Sequence, residues 1–153
     1  MDDLISSLLR RWTVDSIKWQ PGVTSEQLLA FERRNRVALP DDLRAYLRRA
    51  NGIGRDELDG LARLWPLDEY VRVIDFIGTE RASVQGLSDP ETFFCFGDYN
   101  VEGSIWAVRL TPSVAEGGEV RVFWTYANEG TVVAPSFEVF LRRYVLEGPD
   151  GMG

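Results

Sequence analysis

Histidine is absent from the 153-residue chain, and cysteine is represented by Cys95 alone. Without histidine the chain has no Ser-His-Asp or Cys-His arrangement, which removes the commonest ways of activating a nucleophile at neutral pH. One cysteine forms no internal disulfide, and the usual zinc ligand sets are missing as well. The sequence therefore predicts a non-enzymatic domain without a cofactor or metal, in a reducing, cytoplasmic compartment.

Long apolar segments are also missing. No run approaches the roughly 18 residues of a membrane span. The acidic start, with Asp2 and Asp3, lacks the basic region of a secretory signal. We therefore expect neither export by this route nor association with a membrane.

Basic residues are outnumbered, since 24 acidic against 17 basic side chains give a net charge of -7. This charge has the wrong sign for binding nucleic acid or anionic lipid, and a basic protein is its natural complement. A charge of this size also serves simply to keep a small domain soluble. The sequence therefore predicts no nucleic-acid partner, and it leaves the choice between a basic protein partner and mere solubility open.

The first fifty residues have apolar side chains at helical spacing. This spacing predicts a helix over residues 2–12, a second from the capping-box pair Thr24 and Gln27 to near Arg36, and a third from Asp41 to Arg49. Asn51-Gly52 is expected to close the third helix, because both residues tolerate the left-handed conformation. A last helix is predicted from Phe137 to before Gly148.

Aromatic and β-branched segments between these helices predict strands over Phe93–Gly97, Gly103–Leu110 and Glu119–Tyr126. Alternation places Trp106, Val108 and Leu110 against Val120, Val122 and Trp124, with Glu119 beside an arginine on a wetter opposite face. Residues 73–90 show no assignable pattern.

We expect a single α+β domain over 1–147, with an antiparallel sheet flanked by N-terminal helices and a C-terminal helix, and a flexible tail over 148–153.

Carboxylates are the candidate functional groups. The loop Asp98 to Gly103 resembles the first half of a calcium loop, but Arg109 stands where the bidentate glutamate belongs, so a polar turn or a recognition loop is favoured. Asp56, Glu57, Asp59, Asp68 and Glu69 are expected to be solvated. Cys95 lies in the apolar run Phe93–Phe96 and is expected to be buried and poorly reactive.

Several short motifs occur in a recognisable order: Leu28–Glu32, Leu39–Leu43, Tyr46-Leu47, Asn51-Gly52, Leu64–Leu67 and Ser136-Phe137. This combination resembles the SUKH superfamily over about residues 24–146. The resemblance implies an α+β fold and, for many bacterial members, an immunity protein that binds and neutralises a cognate toxin, commonly a nuclease. Other members resemble regulatory scaffolds related to the fungal cell-wall synthesis regulator, which is the alternative prediction.

The resemblance marks the fold and not the binding surface. For an acidic domain we expect a basic toxin to dock by steric and electrostatic complementarity. The predicted contact surface is the Asp98–Glu102 loop with nearby acids and exposed aromatics, namely Asp68, Glu69, Asp98, Tyr99, Asn100, Glu102 and Tyr126. The identity of the partner and the oligomeric state do not follow from the sequence.

Overall fold

The computed structural model describes residues 1–80, 82–125 and 130–152. Its helices are α1 (Asp2–Val14), α2 (Ser25–Asn35), α3 (Asp41–Arg49), α4 (Val73–Phe76), α5 (Ala82–Gln85) and α6 (Phe137–Glu147). Its strands are β1 (Trp19–Pro21), β2 (Ala50–Ile53), β3 (Ala62–Leu64), β4 (Val71–Arg72), β5 (Phe93–Tyr99), β6 (Ser104–Arg109), β7 (Val120–Trp124) and β8 (Gly130–Ala134). The predicted α+β class is confirmed, and α4 and α5 occupy the segment that the pattern left unassigned.

The main sheet is antiparallel, with the strand order β3-β5-β6-β7-β8. β4 pairs with the start of β5, on the same edge that β3 occupies further along. The predicted pairing of β6 and β7 is confirmed, since Trp106 lies opposite Val122 and Val108 opposite Val120. A separate pair, β1 with β2, joins the segments around α2 and α3.

Aromatic side chains fill the space between the main sheet and the long helices, on the side that we call the helical face. Trp106 of β6 packs against Phe140 and Tyr144 of α6, with ring centroids 5.3 and 5.8 Å away. Phe31 of α2 meets Phe94 of β5 at 5.9 Å. These rings are buried, as expected for large apolar groups that carry most of the hydrophobic stabilisation.

The opposite face of the sheet is drier than predicted. Cys95, Ile105 and Phe123 alternate onto it and are fully buried. Arg109 and Arg121 lie over the buried Phe93 ring, and Arg121 donates to Glu119 at 2.7 Å. The expected pairing of Glu119 with an arginine is confirmed. The expectation of a wetter face is wrong here, because the charged groups cover an aromatic layer.

The Asn51-Gly52 pair does not close α3 as predicted. The helix ends at Arg49 and the chain enters β2 directly, so Asn51 is part of a strand and accepts a bond from the Leu67 N–H at 2.7 Å. Gly52 has φ +65°, and a Cβ there would lie 2.5 Å from the Leu64 carbonyl oxygen. Glycine is needed at this position for the close approach of two backbone segments as well as for its conformation.

A buried carboxylate ties the two ends of the chain together. Asp59, expected to be solvated, is 4% exposed. Its Oδ2 accepts from the Arg11 guanidinium at 2.5 Å, the Trp12 indole N–H at 2.9 Å and the Tyr144 hydroxyl at 2.8 Å. Burial and the negative charge of Asp59 raise the pKa of Tyr144 well above its usual range. The prediction fails because three donors from α1 and α6 replace the water around the carboxylate.

The residues after α6, where the sequence predicts a flexible tail, form a 3-10 turn over Pro149–Met152. Met152 is buried, and its carbonyl accepts from the Trp106 indole N–H at 2.9 Å. The Asp150 carboxylate accepts from the Tyr99 hydroxyl at 2.7 Å. This turn therefore caps the end of the helical face beside α6.

Candidate functional site: an acidic groove on the opposite face

Two adjoining clefts of about 250 and 270 Å³ lie on the opposite face, between the loop after β2, the turn after β3 and the β5–β6 loop. They share the side chains of Arg55, Arg63 and Glu102. We call their combined lining the acidic groove: Arg55, Asp56, Leu58, Arg63, Trp65, Asp68, Glu69, Val71, Phe76, Asp98, Val101 and Glu102. Seven of these twelve side chains are charged, whereas small-molecule pockets are lined mostly by apolar groups, so the groove fits side chains of a protein partner better than a cofactor.

Carboxylates outnumber cations in the acidic groove. It contains five acidic and two basic side chains. Two of the acids support Arg63, whose guanidinium lies 2.8 Å from Glu69 and 3.8 Å from Asp98. In the part of the chain that the structure describes, the exposed carboxylates of Asp56, Asp68 and Glu102 form no ion pair. Free negative charge therefore remains at the surface of the groove.

The β5–β6 loop is held by Asp98. This side chain is only 5% exposed, its Oδ1 accepts from the Trp65 indole, and its Oδ2 accepts from the Glu102 backbone N–H at 2.9 Å. A carboxylate with such partners belongs to the floor of the groove and supports the loop from below. Charge reversal at Asp98 would therefore disturb the fold as well as any contact with a partner.

Backbone strain is concentrated at the tip of the same loop. Asn100, Val101 and Glu102 have φ values of 56°, 52° and 64°, which non-glycine residues and above all a β-branched valine rarely adopt. Such conformations cost about 1–3 kcal/mol each and mark positions where a fixed shape is useful. The consequence here is that Val101 projects into solvent with 80% of its surface exposed.

Apolar side chains surround the charges. Besides Val101, Leu58 is 46% exposed and Phe76 is 37% exposed, and Phe76 packs against Trp65 with ring centroids 5.4 Å apart. Apolar groups beside orienting charges are the usual composition of a protein-binding surface. The groove therefore combines exposed apolar side chains with charged ones on one surface.

The structure brings together four of the seven residues predicted to contact a partner: Asp68, Glu69, Asp98 and Glu102. Tyr99 lies on the helical face because successive strand residues point to opposite sides of the sheet. Its hydrogen bond to Asp150 raises the pKa of Tyr99. Asn100 is exposed at the loop tip but does not line the groove, and Tyr126 lies outside the described residues.

Sequence reasoning missed most of the groove's other residues. Arg55 and Leu58 lie in a loop that looked like solvated surface, and Phe76 lies in the segment without a pattern. Arg63 carried the one available signal. A single charged residue within an apolar strand such as Ala62–Leu64 indicates a buried side chain held in an ion pair. In the structure Arg63 is 8% exposed.

Charge is distributed unevenly over the molecule. Residues 1–50, which contain α1 to α3, have nine basic and seven acidic side chains, whereas residues 51–153 have eight basic and seventeen acidic ones. The net charge is therefore +2 for the first part and -9 for the second. The acidic groove is built entirely from the second part, so the negative field and the groove coincide.

Other kinds of site find little support in the described residues. No group of three or more of their histidine, cysteine, aspartate and glutamate side chains has the geometry to hold a metal ion. None of the helices in this part of the chain combines the length and apolar character needed to cross a bilayer. Burial raises the pKa of the Cys95 thiol, so the thiolate is disfavoured at neutral pH.

The model of the SMI1 / KNR4 family (SUKH-1) matches residues 22–143, most of the chain. The chain belongs to the SMI1/KNR4 family. No curated protein matches it. The resemblance to the SUKH superfamily noted in the sequence is thereby confirmed.

In this SMI1/KNR4 domain most of the motif residues build the fold, and within the Leu64–Leu67 motif Trp65 also lines the groove. Phe31 is buried in the aromatic core. Glu32 accepts from the Leu39 backbone N–H at 2.8 Å and from the Arg44 guanidinium at 2.7 Å, which fixes the connection from α2 to α3. Leu39 and Pro40 are buried at the start of α3. None of these residues lines the acidic groove.

Proposed function

We propose that this chain is a cytoplasmic immunity protein that binds a basic toxin through the acidic groove and neutralises it by covering its substrate site. The observation that carries the proposal is the coincidence of unpaired carboxylates and exposed apolar side chains on one concave surface. Asp68 and Glu102 supply charge, and Val101 supplies apolar area at a fixed position. A nuclease toxin fits this surface because its substrate site must be basic to bind phosphates.

Affinity in such a complex comes from the desolvated centre, while the surrounding charges accelerate association. The acidic field of residues 51–153 would steer a basic partner to the groove, with an effect that weakens as salt is added. Val101 and Phe76 would then be buried against the partner. This division of roles predicts that charge changes act mainly on the association rate and apolar changes on the dissociation rate.

The test is growth rescue. The chain is co-expressed with the toxin domain encoded nearest to its gene, and survival is compared with an empty vector. Rescue with co-purification is the expected result. The double variant Asp68→Lys/Glu102→Lys should lower the association rate by at least about tenfold at low salt. The matched control is Asp15→Lys/Glu116→Lys, which makes the same charge change at exposed positions outside the groove.

Equal losses in the two double variants would contradict the groove as the contact surface. Absence of rescue by the unaltered chain would contradict the immunity function itself. That second outcome would favour the alternative, a regulatory adaptor that binds a host protein without neutralising it.

A further inference from the structure

Two guanidinium groups share one carboxylate in the acidic groove. Arg63 forms a two-point contact with Glu69, with bonds of 3.1 and 2.8 Å, and its guanidinium lies 5.5 Å from the Trp65 ring centroid. Arg55 approaches the same Glu69 Oε1 at 3.4 Å from the solvent side. The Arg63 side chain is 9% exposed and the Arg55 side chain is 80% exposed. Arg63 is therefore a structural part of the groove, whereas Arg55 lies loosely on it.

The Arg55 contact is easily exchanged. Exposed ion pairs contribute about 0–1 kcal/mol, because the attraction is screened and two long side chains lose freedom. Glu69 itself is partly buried and held by Arg63, so it keeps its position when Arg55 leaves. The unpaired carboxylates of Asp68 and Glu102 line the same cleft. A second guanidinium arriving from outside would find the same carboxylate and additional negative charge.

Building on the proposed function, we propose that the acidic groove binds an arginine side chain of the partner, and that Arg55 is a placeholder which this side chain displaces from Glu69. The groove already accommodates a guanidinium at this position. A planar guanidinium matches a carboxylate and stacks on aromatic rings in a way that a lysine ammonium does not. The Phe76 ring, which is 37% exposed and lines the same cleft as Glu69, offers such a stacking surface.

The test uses small probes on the full chain. Acetyl-Gly-Arg-Gly-Arg-Gly-amide and the same peptide with lysine in place of arginine are titrated at low salt, and binding is followed by NMR chemical shifts. Arg55→Gln should bind the arginine peptide about two- to fivefold more tightly than the unaltered chain, as expected from removing a weak competing ion pair. The matched control Arg33→Gln removes the same charge from an exposed position on α2, outside the groove, and should change the affinity less.

Equal affinities of Arg55→Gln and Arg33→Gln for the arginine peptide would overturn the placeholder, since only net charge would then matter. Equal binding of the arginine and lysine peptides would overturn the selectivity for guanidinium. The proposed function fails separately. If growth is rescued but Arg55→Gln does not change the affinity for the arginine peptide, the placeholder is refuted and the immunity function stands. If Arg55→Gln binds the peptide more tightly but the chain does not rescue growth from the toxin, the immunity function is refuted and the placeholder is supported.

Discussion

Replacing Asp59 with alanine removes a carboxylate that joins α1, α6 and the loop after β2. The Trp12 indole and the Tyr144 hydroxyl, both buried, would lose their acceptor, and each stranded donor costs about 1–3 kcal/mol. The Arg11 side chain is 24% exposed and is partly rehydrated, so its loss is smaller than that of a fully buried charge. We therefore expect the free energy of unfolding to fall by about 3–5 kcal/mol.

Urea unfolding followed by tryptophan fluorescence measures this loss, and the melting temperature should fall by about 6–20 °C. Asp56→Ala is the control, because this neighbouring acid is exposed and should change stability by no more than about 0.5 kcal/mol. Asp59→Asn keeps an acceptor but loses the charge, so an intermediate loss is expected. A loss below about 1 kcal/mol in Asp59→Ala would refute the assignment of Asp59 as a buried link between the two ends of the chain.

Three further predictions concern other parts of the fold. Glu32→Ala should lower the free energy of unfolding by about 2 kcal/mol and Arg44→Ala by less than about 1 kcal/mol, because only Glu32→Ala leaves the buried Leu39 N–H without an acceptor. Equal losses in urea unfolding would contradict this. Removing residues 149–153 should cost about 2–4 kcal/mol through Met152 and its hydrogen bond, whereas a truly flexible tail would cost nothing measurable. Burial raises the pKa of the Cys95 thiol, so the unfolded state loses this proton at lower pH than the folded state, and the free energy of unfolding should fall by up to about 1.4 kcal/mol per pH unit above about pH 8.5. Chemical unfolding of Cys95→Ala between pH 8.5 and 10 should show a weaker dependence of this free energy on pH. The same pH dependence in both proteins would count against the prediction.

Local signals predicted the regular elements well. The capping box at Thr24 and Gln27 is formed in both directions, with bonds of 3.1 and 2.8 Å, because it depends only on residues three apart. Alternation predicted which faces of β6 and β7 lie together, since a shift by one residue would turn Trp106 away from the core. These features are decided within a few residues of the chain.

Features that depend on distant contacts were not predictable in this way. Asp59 stands among other acids in a polar loop, and nothing nearby indicates that Arg11 and Tyr144 will surround it. Asn51-Gly52 fits a helix end by local preference, yet the approach of the Leu64 carbonyl decides its conformation. In both cases the contact that decides the structure comes from another element, so local propensity and residue spacing do not indicate it.

The two faces of the sheet explain why the family motifs, apart from Trp65, lie away from the candidate site. Along β5, Phe94 points to the helical face and packs against Phe31 of the motif, while Asp98 points to the opposite face and lines the groove. Substitution at Phe31 would disrupt the core whatever the partner is, whereas Val101 and Glu102 can change without loss of core contacts because they are exposed. A fold built in this way can keep one set of residues for stability and vary the other for different partners. Apart from Trp65, the residues that identify the family are therefore expected to be separate from those that would contact a partner.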